Sequence, residues 1–331
     1  MTTNDYSEII EKTLCELKKG EQWEDIYSKY AGEIMKRKGN YVKNINSIKH
    51  FIDLPMYSSI AKLKDTSVRS DLRYGGQSIG EIKISKCGIA QIKIKENIIA
   101  DNKEISKDRW YSWDSDEAKS IRKYYTKKNK SIKINEHYVE SRMLAEFSKK
   151  SRKEKALPNV RPVRLGNLFF QFTTPLQASK KRPKIALTSN KNGANGGGID
   201  ILARIKTKEY SNSFNLAVIE IKDENKSSES QKDVMSQAII YATFIASLLR
   251  SKSGKDWWKL FRESKKKSDV PKKIEIYVVT LMPKGNSEEG YLGKLEIEEL
   301  GATLNLHSLY YTFNSDNSIN FFGTLPEVLK P

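Results

Sequence analysis

The chain has 331 residues, enough for two domains or one elaborated domain with a sizeable core. Its 59 Lys and Arg against 41 Asp and Glu leave a net charge of +18, which favours an anionic polymer or surface as partner, nucleic acid first, although a lysine-rich composition serving solubility gives the same balance. Cys15 and Cys87 are too few and too far apart for a disulfide framework or a thiolate zinc site, and the longest apolar run, Ala238 to Leu249, is shorter than the ~18 residues that span a bilayer.

The first seven residues, Met1 to Ser7, lack the basic and apolar regions of an export signal, so a cytoplasmic setting away from membranes is expected. Asp5 or Ser7 can cap an amphipathic helix with Ile9, Ile10, Leu14 and Leu17 at helical spacing, stopped by Gly20. A second helix, from about Gln22 to Met35, carries Trp23, Ile26, Tyr27, Tyr30 and Ile34. A less regular helical stretch from Tyr41 to Ile60 is broken by Pro55. These read as small packed helices, with a helix-turn-helix as the alternative. Between Gly75 and Ile99, alternating isoleucines on either side of Lys86-Cys87-Gly88 predict a β-hairpin. Trp110, Trp113, Tyr124 and Tyr125 stand among many basic residues, either as a stacking surface for nucleic acid or as the inner face of a solvated helix. Arg122 to Lys130 reads as a linker, which divides the chain into an N-terminal α+β domain, 1–130, and a second domain, 131–331.

The second domain opens with a helix near Asn135 to Lys150, where Met143, Leu144 and Phe147 mark the buried side and Glu140 lies at its edge. His137 has no second histidine near it in sequence, so a surface or packing role is expected. After the basic loop Lys149 to Arg164, Asn167 to Phe172 makes an apolar strand, and Lys180 to Lys184 forms either a phosphate-approaching or simply an exposed loop. The glycine-rich run Asn192 to Gly198 lacks both G-x-G-x-x-G and G-K-[ST] and precedes a strand, so it reads as a turn bringing backbone close to a site. Gly285 to Gly290 has P-loop spacing, but Tyr291 and Leu292 replace the required Lys and Ser/Thr, so ATP binding has no support.

From Ile199 to Ile205, apolar residues alternate with Asp200, Leu202 and Arg204, the period of one strand. A second strand, Phe214 to Lys222, sets Phe214, Leu216, Val218, Glu220 and Lys222 on one face. Ser227 to Ser230 caps a helix from about Gln231 to Arg250, with Gln237 and Tyr241 one turn apart. Trp257 and Trp258 belong to a short helix and read as core. Lys273 to Leu281 is a buried strand that follows a helix and therefore suits parallel addition to the sheet, and Leu304 to Phe313 with Ile319 to Phe322 close as a hairpin.

Charged groups at the end of an apolar strand are costly to bury unless paired or bound to a cation. Mg²⁺, with Mn²⁺ as a substitute, fits Asp200 and Glu220, because it takes one or two carboxylates and keeps several waters; the carbonyl of Ile221 is a further oxygen within reach. Lys222 would offset the charge developing on a phosphodiester and help position a water.

Asp200, nineteen intervening residues and Glu220-x-Lys222 resemble the metal site of the PD-(D/E)XK nuclease superfamily. The helix with Gln237-x-x-x-Tyr241 resembles the Q-x-x-x-Y element of its RecB-type branch. The resemblance covers roughly residues 131 to 285, with no proline before Asp200. It implies a restriction-endonuclease-like α/β core with a mixed central sheet flanked by helices. It also implies an acidic residue on a preceding helix, for which Glu140 fits and Glu136, one turn earlier, could replace it. A second, crude D…ExK, Asp71 with Glu81-Ile82-Lys83, lies outside any apolar strand and has no Q-x-x-x-Y helix after it.

The expected activity is Mg²⁺-dependent hydrolysis of DNA, with restriction, defence or repair roles implied by the resemblance alone. Asp200, Glu220, Lys222, Glu140, Gln237 and Tyr241 form the expected catalytic set, and Asp200, Glu220, Ile221 and Glu140 the metal set. RNA as substrate and a catalytically inactive nucleic-acid-binding or assembly protein are the alternatives. A homodimer is left open.

Overall fold

The computed structural model describes residues 3–20, 22–45, 56–59, 68–84, 89–127, 135–149, 157–165, 168–179, 182–185, 196–206, 214–224, 229–262, 269–285, 293–316 and 318–323. The chain begins with helices α1 (Thr3–Lys19) and α2 (Gln22–Ile45). Strands β1 (Met56–Ser59), β2 (Val68–Tyr74), β3 (Gln77–Ile84), β4 (Ala90–Ile94), β5 (Ile98–Ala100), β6 (Lys103–Ile105) and β7 (Tyr111–Ser112) follow. Next come α3 (Asp116–Thr126), α4 (Glu136–Ser148), β8 (Val160–Pro162), β9 (Arg164–Leu165), β10 (Leu168–Thr173), β11 (Leu176–Ser179) and β12 (Arg182–Ile185). The last part holds β13 (Gly198–Ile199), β14 (Ile201–Ile205), β15 (Asn215–Ile221), α5 (Gln231–Arg250), α6 (Gly254–Arg262), β16 (Ile274–Pro283), β17 (Gly293–Ile297), β18 (Ala302–Phe313) and β19 (Ile319–Gly323). The class is mixed α/β.

Two large sheets organise these elements. One runs β17-β18-β16-β15-β14-β8, with β19 also on β18; β15, β16 and β18 are mutually parallel and the rest antiparallel. The period of 2 in β15 builds a layer on each side. Leu216 and Val218 join the core under α5, while Ala217, Ile219 and Ile221 join Val139, Met143, Leu144 and Phe147 of α4 on the other face. Helix α5 starts where the Ser230 side chain accepts the backbone N–H of Asp233, and nearly its whole circumference is buried. The expected parallel strand at Lys273 to Leu281, the closing hairpin and the inward Trp257 and Trp258 all appear.

The second sheet runs β13-β10-β1-β2-β3-β4-β7, with β9 on β10. Its interior member β1 corrects the helical reading of Tyr41 to Ile60: helix α2 extends to Ile45, and Met56–Ser59 is a strand parallel to β10. Short polar strands of this kind carry little periodicity, and their long-range pairing decides them. Asp71 lies in strand β2, whose sequence VRSDLRY is not an apolar run. The supposed linker from Arg122 is helical up to Thr126, where Arg122 covers Trp113 and Tyr125 is buried, so these aromatics pack inward.

Segments from both sides of residue 130 share one core. Tyr27 of α2 meets Phe172, Phe244 and Trp257, and its hydroxyl donates to the Thr173 carbonyl. The breaking Pro55, Lys86 to Gly88, the Lys180-Lys181 pair, Asn192 to Asn195, Ser227-Ser228 and residues 286–292 lie outside the described residues. No single helix among the described residues is long and apolar enough to cross a membrane.

Candidate active site

The two sheets meet at Asp200. Residues Ile199 to Ile205 do not form one strand: β13 pairs with β10 in one sheet, the chain bends at Asp200, and β14 pairs with β15 in the other. The bend reverses the faces, so Ile199 joins the core under α5, whereas Ile201, Ala203 and Ile205 join the α4 side. Local alternation cannot reveal this, since a period of 2 does not say which neighbour each residue pairs with. The result places the Asp200 carboxylate against the end of β15, where its Oδ2 accepts the backbone N–H of Ile221 at 2.8 Å.

Glu220 is 1 % exposed and faces the Asp200 carboxylate, while its Oε1 has no hydrogen-bond partner. Burial and then the neighbouring Glu140 and Glu136 charges push Asp200 up to about 7, against the Ile221 hydrogen bond and Lys222. Burial and then Asp200 raise Glu220 well above the ordinary range. Two carboxylates this close therefore share a proton near neutrality unless a cation replaces it.

Lys222 lies one residue beyond β15, where its N–H still pairs with the neighbouring strand β16. Its ammonium stands 3.3 Å from Glu136 of α4 and 3.3 Å from Glu229 before α5. Burial opposes its charge, but Glu136, Asp200, Glu220 and Glu229 together hold its pKa above the usual lysine range. Lys222 is thus a fixed cation, with its carbonyl accepting the Tyr311 hydroxyl at 3.0 Å and its N–H donating to the Leu281 carbonyl at 3.0 Å.

Tyr241 is 2 % exposed, and burial followed by the Glu220 charge raises its phenol. Gln237 donates to the Tyr241 hydroxyl at 3.5 Å. The glycines meet the same ring: a β-carbon on Gly197 would overlap the Tyr241 hydroxyl and lie 2.8 Å from the carbon that bears it. Gly196 is equally close to the Thr174 carbonyl and Leu176 backbone. The expected turn bringing backbone to the site is therefore present on its described residues.

On α4, Glu136 serves Lys222, while Glu140, one turn on, is 2 % exposed and meets His137 at 3.4 Å and Arg73 at 3.7 Å. The structure thus brings Asp200, Glu220, Lys222, Tyr241, Gln237, Glu140 and Glu136 to one place. Sequence reasoning missed Arg73, Glu229 and Tyr311, which reach the site from remote strands or a loop. The only signal was Arg73 lying two residues after Asp71 in the second D…ExK. Asp71 itself is occupied by Arg73 at 3.0 Å, by Ser78 and by Lys95 at 3.7 Å, so that motif anchors an arginine.

A divalent cation fits on the chemistry of the donors. Asp200 and Glu220 offer two adjoining carboxylates and an orphaned buried oxygen. Among the described residues no three His, Cys, Asp or Glu gather tightly enough to hold an ion together. The fit rests on two carboxylates, the number Mg²⁺ commonly takes from protein. No family model, no curated protein and no solved structure matches the chain.

Proposed function

We propose that the chain is a metal-dependent nuclease with a restriction-endonuclease-like core, acting on DNA. The observation that carries this reading is the pairing of the half-buried Asp200 carboxylate with the buried Glu220 carboxylate beside the fixed ammonium of Lys222 at one strand end. Asp200 and Glu220 would hold Mg²⁺ or Mn²⁺, with the Ile221 carbonyl as a further oxygen and Glu140 close behind. When bound, the ion would lower the pKa of a water and neutralise charge on the scissile phosphate.

The remaining work falls to the chain. Lys222 stays charged and offsets negative charge developing at the phosphorus, instead of taking a proton from water. Glu136 and Glu229 orient that ammonium. The Asp200–Ile221 hydrogen bond keeps the carboxylate in register with Glu220. Tyr241, wedged by Gly197 and held by Gln237, closes the α5 side and limits water around the carboxylates. The net charge of +18 favours a polyanionic substrate.

The test is incubation with circular and linear DNA, single- and double-stranded, and with RNA, in Mg²⁺, Mn²⁺ or EDTA. Metal-dependent DNA cutting supports the reading, and cutting of RNA alone reassigns the substrate. Binding without cutting replaces the enzyme by a nucleic-acid-binding protein.

A further inference from the structure

Arg73 belongs to the N-terminal sheet, yet its guanidinium ends at the carboxylate cluster. Nε lies 3.0 Å from Asp71 Oδ2, Nη2 donates to Gln171 Oε1 at 2.9 Å, and Nη1 lies 3.7 Å from Glu140 Oε2. Its own Asp71 partner is braced by Ser78 and Lys95. Hydrogen bonds to Asp71 and Gln171 hold two sides of the fork, and Nη1 faces Glu140 as an ion pair without a hydrogen bond, an arrangement that a lysine cannot reproduce.

Two backbone features place the arginine there. The pairing of β2 with β3 shifts register between Leu72 and Arg73, a bulge that re-aims the following side chain. The turn after it, Gly75-Gly76, has positive φ at both residues, and a β-carbon on Gly76 would overlap the His137 carbonyl and sit 2.7 Å from the Tyr138 nitrogen. The hairpin tip is thus pressed onto the first turn of α4, between Glu136 and Glu140. Glu140 is almost fully buried with Oε1 lacking a hydrogen-bond partner, and its Oε2 faces both His137 at 3.4 Å and the Arg73 guanidinium at 3.7 Å.

We propose that Arg73 is a positioning residue that fixes Glu140 beside the Asp200–Glu220 pair, making the β2–β3 hairpin part of the metal centre. The inference rests on the reading of Asp200 and Glu220 as a metal site. Glu140 then acts from just behind the two carboxylates, where an outer group orients water and ligands.

The experiment is a calorimetric Mn²⁺ titration of the full chain, with melting curves as a folding control, for wild type, Arg73→Ala, Arg73→Lys, Glu140→Gln and the Arg73→Ala/Glu140→Gln double variant. Arg73→Ala is expected to weaken Mn²⁺ binding about 10- to 100-fold, with partial recovery in Arg73→Lys. In the Glu140→Gln background, the same change should move affinity by less than about twofold, because the arginine acts through Glu140. An equal loss in both backgrounds, or a folded Arg73→Ala with unchanged Mn²⁺ affinity, overturns the inference alone. Should Arg73→Ala unfold, Arg73→Lys carries the same comparison, and wild-type affinity in it is the overturning result. Wild-type protein that binds no Mn²⁺, or binding that survives Asp200→Ala, overturns the metal-site reading and this inference together.

Discussion

Asp200 Oδ2 accepts the backbone N–H of Ile221 at 2.8 Å, joining the bend where the chain changes sheets to the strand that ends in Lys222. One hydrogen bond thereby sets the register of the carboxylate against both Glu220 and Lys222. It is made to the residue between them, so Asp200 cannot shift along the strand without losing it.

Burial and the neighbouring carboxylates push the Asp200 carboxyl, coupled to Glu220, up to about 7 from its ordinary 3.8, so between these values the folded pair holds a proton that the unfolded chain has lost. Metal-free stability from this group therefore falls as pH rises through that window, by at most about 1.4 kcal/mol per pH unit, and is level above it. Asn keeps the acceptor for Ile221 without the charge. Metal-free Asp200→Asn should melt close to wild type at pH 4 and above it at pH 8. Saturating Mg²⁺ should raise the wild-type melting temperature and leave the variant's unmoved.

Lys222→Ala should reduce cleavage about 10²- to 10³-fold, the loss expected when one group that stabilises transition-state charge is removed. DNA binding and the circular dichroism spectrum should stay close to wild type. Single-turnover kinetics beside a binding isotherm check this, and unchanged cutting would remove Lys222 from the mechanism.

Gly197→Ala drives a methyl group into the Tyr241 hydroxyl, so the ring or the turn must move. Overpacking of this kind destabilises by about 1–3 kcal/mol, and the displaced phenol should also slow cleavage. Adding Tyr241→Phe should recover part of the stability, since the hydroxyl makes the closest approach. Urea melts of the two variants decide it.

The N-terminal helices are part of the core. Tyr27→Ala, which removes a fully buried ring packed on Phe172, Phe244 and Trp257, should cost about 3–5 kcal/mol. A chain lacking residues 3–35 should lose the cooperative melt of the full protein, measured by calorimetry.

What could be read from the sequence followed from local physics. The apolar period of Leu216 and Val218, the Ser230 cap, and a buried strand after a helix placed β15, α5 and β16, and with them Glu220, Tyr241 and Gln237. Asp200 was legible as a residue but not as a bend, because Ile199 and Ile201 look alike whichever sheet each joins. Met56–Ser59 reads as part of a helical stretch, and only its parallel partner β10 makes it a strand. Arg73 was hidden for a similar reason: its contact with Glu140 spans the two halves of the chain and depends on a bulge and a glycine turn.

The most direct measurement compares wild type and Asp200→Ala on one supercoiled plasmid and its linear form, with Mg²⁺ and with EDTA, at equal protein concentration. The account predicts cleavage by wild type in Mg²⁺, none in EDTA, and none by a folded Asp200→Ala in either. Cutting that persists without metal, or in the variant, would contradict the assignment of the Asp200–Glu220 pair as the metal centre of a nuclease.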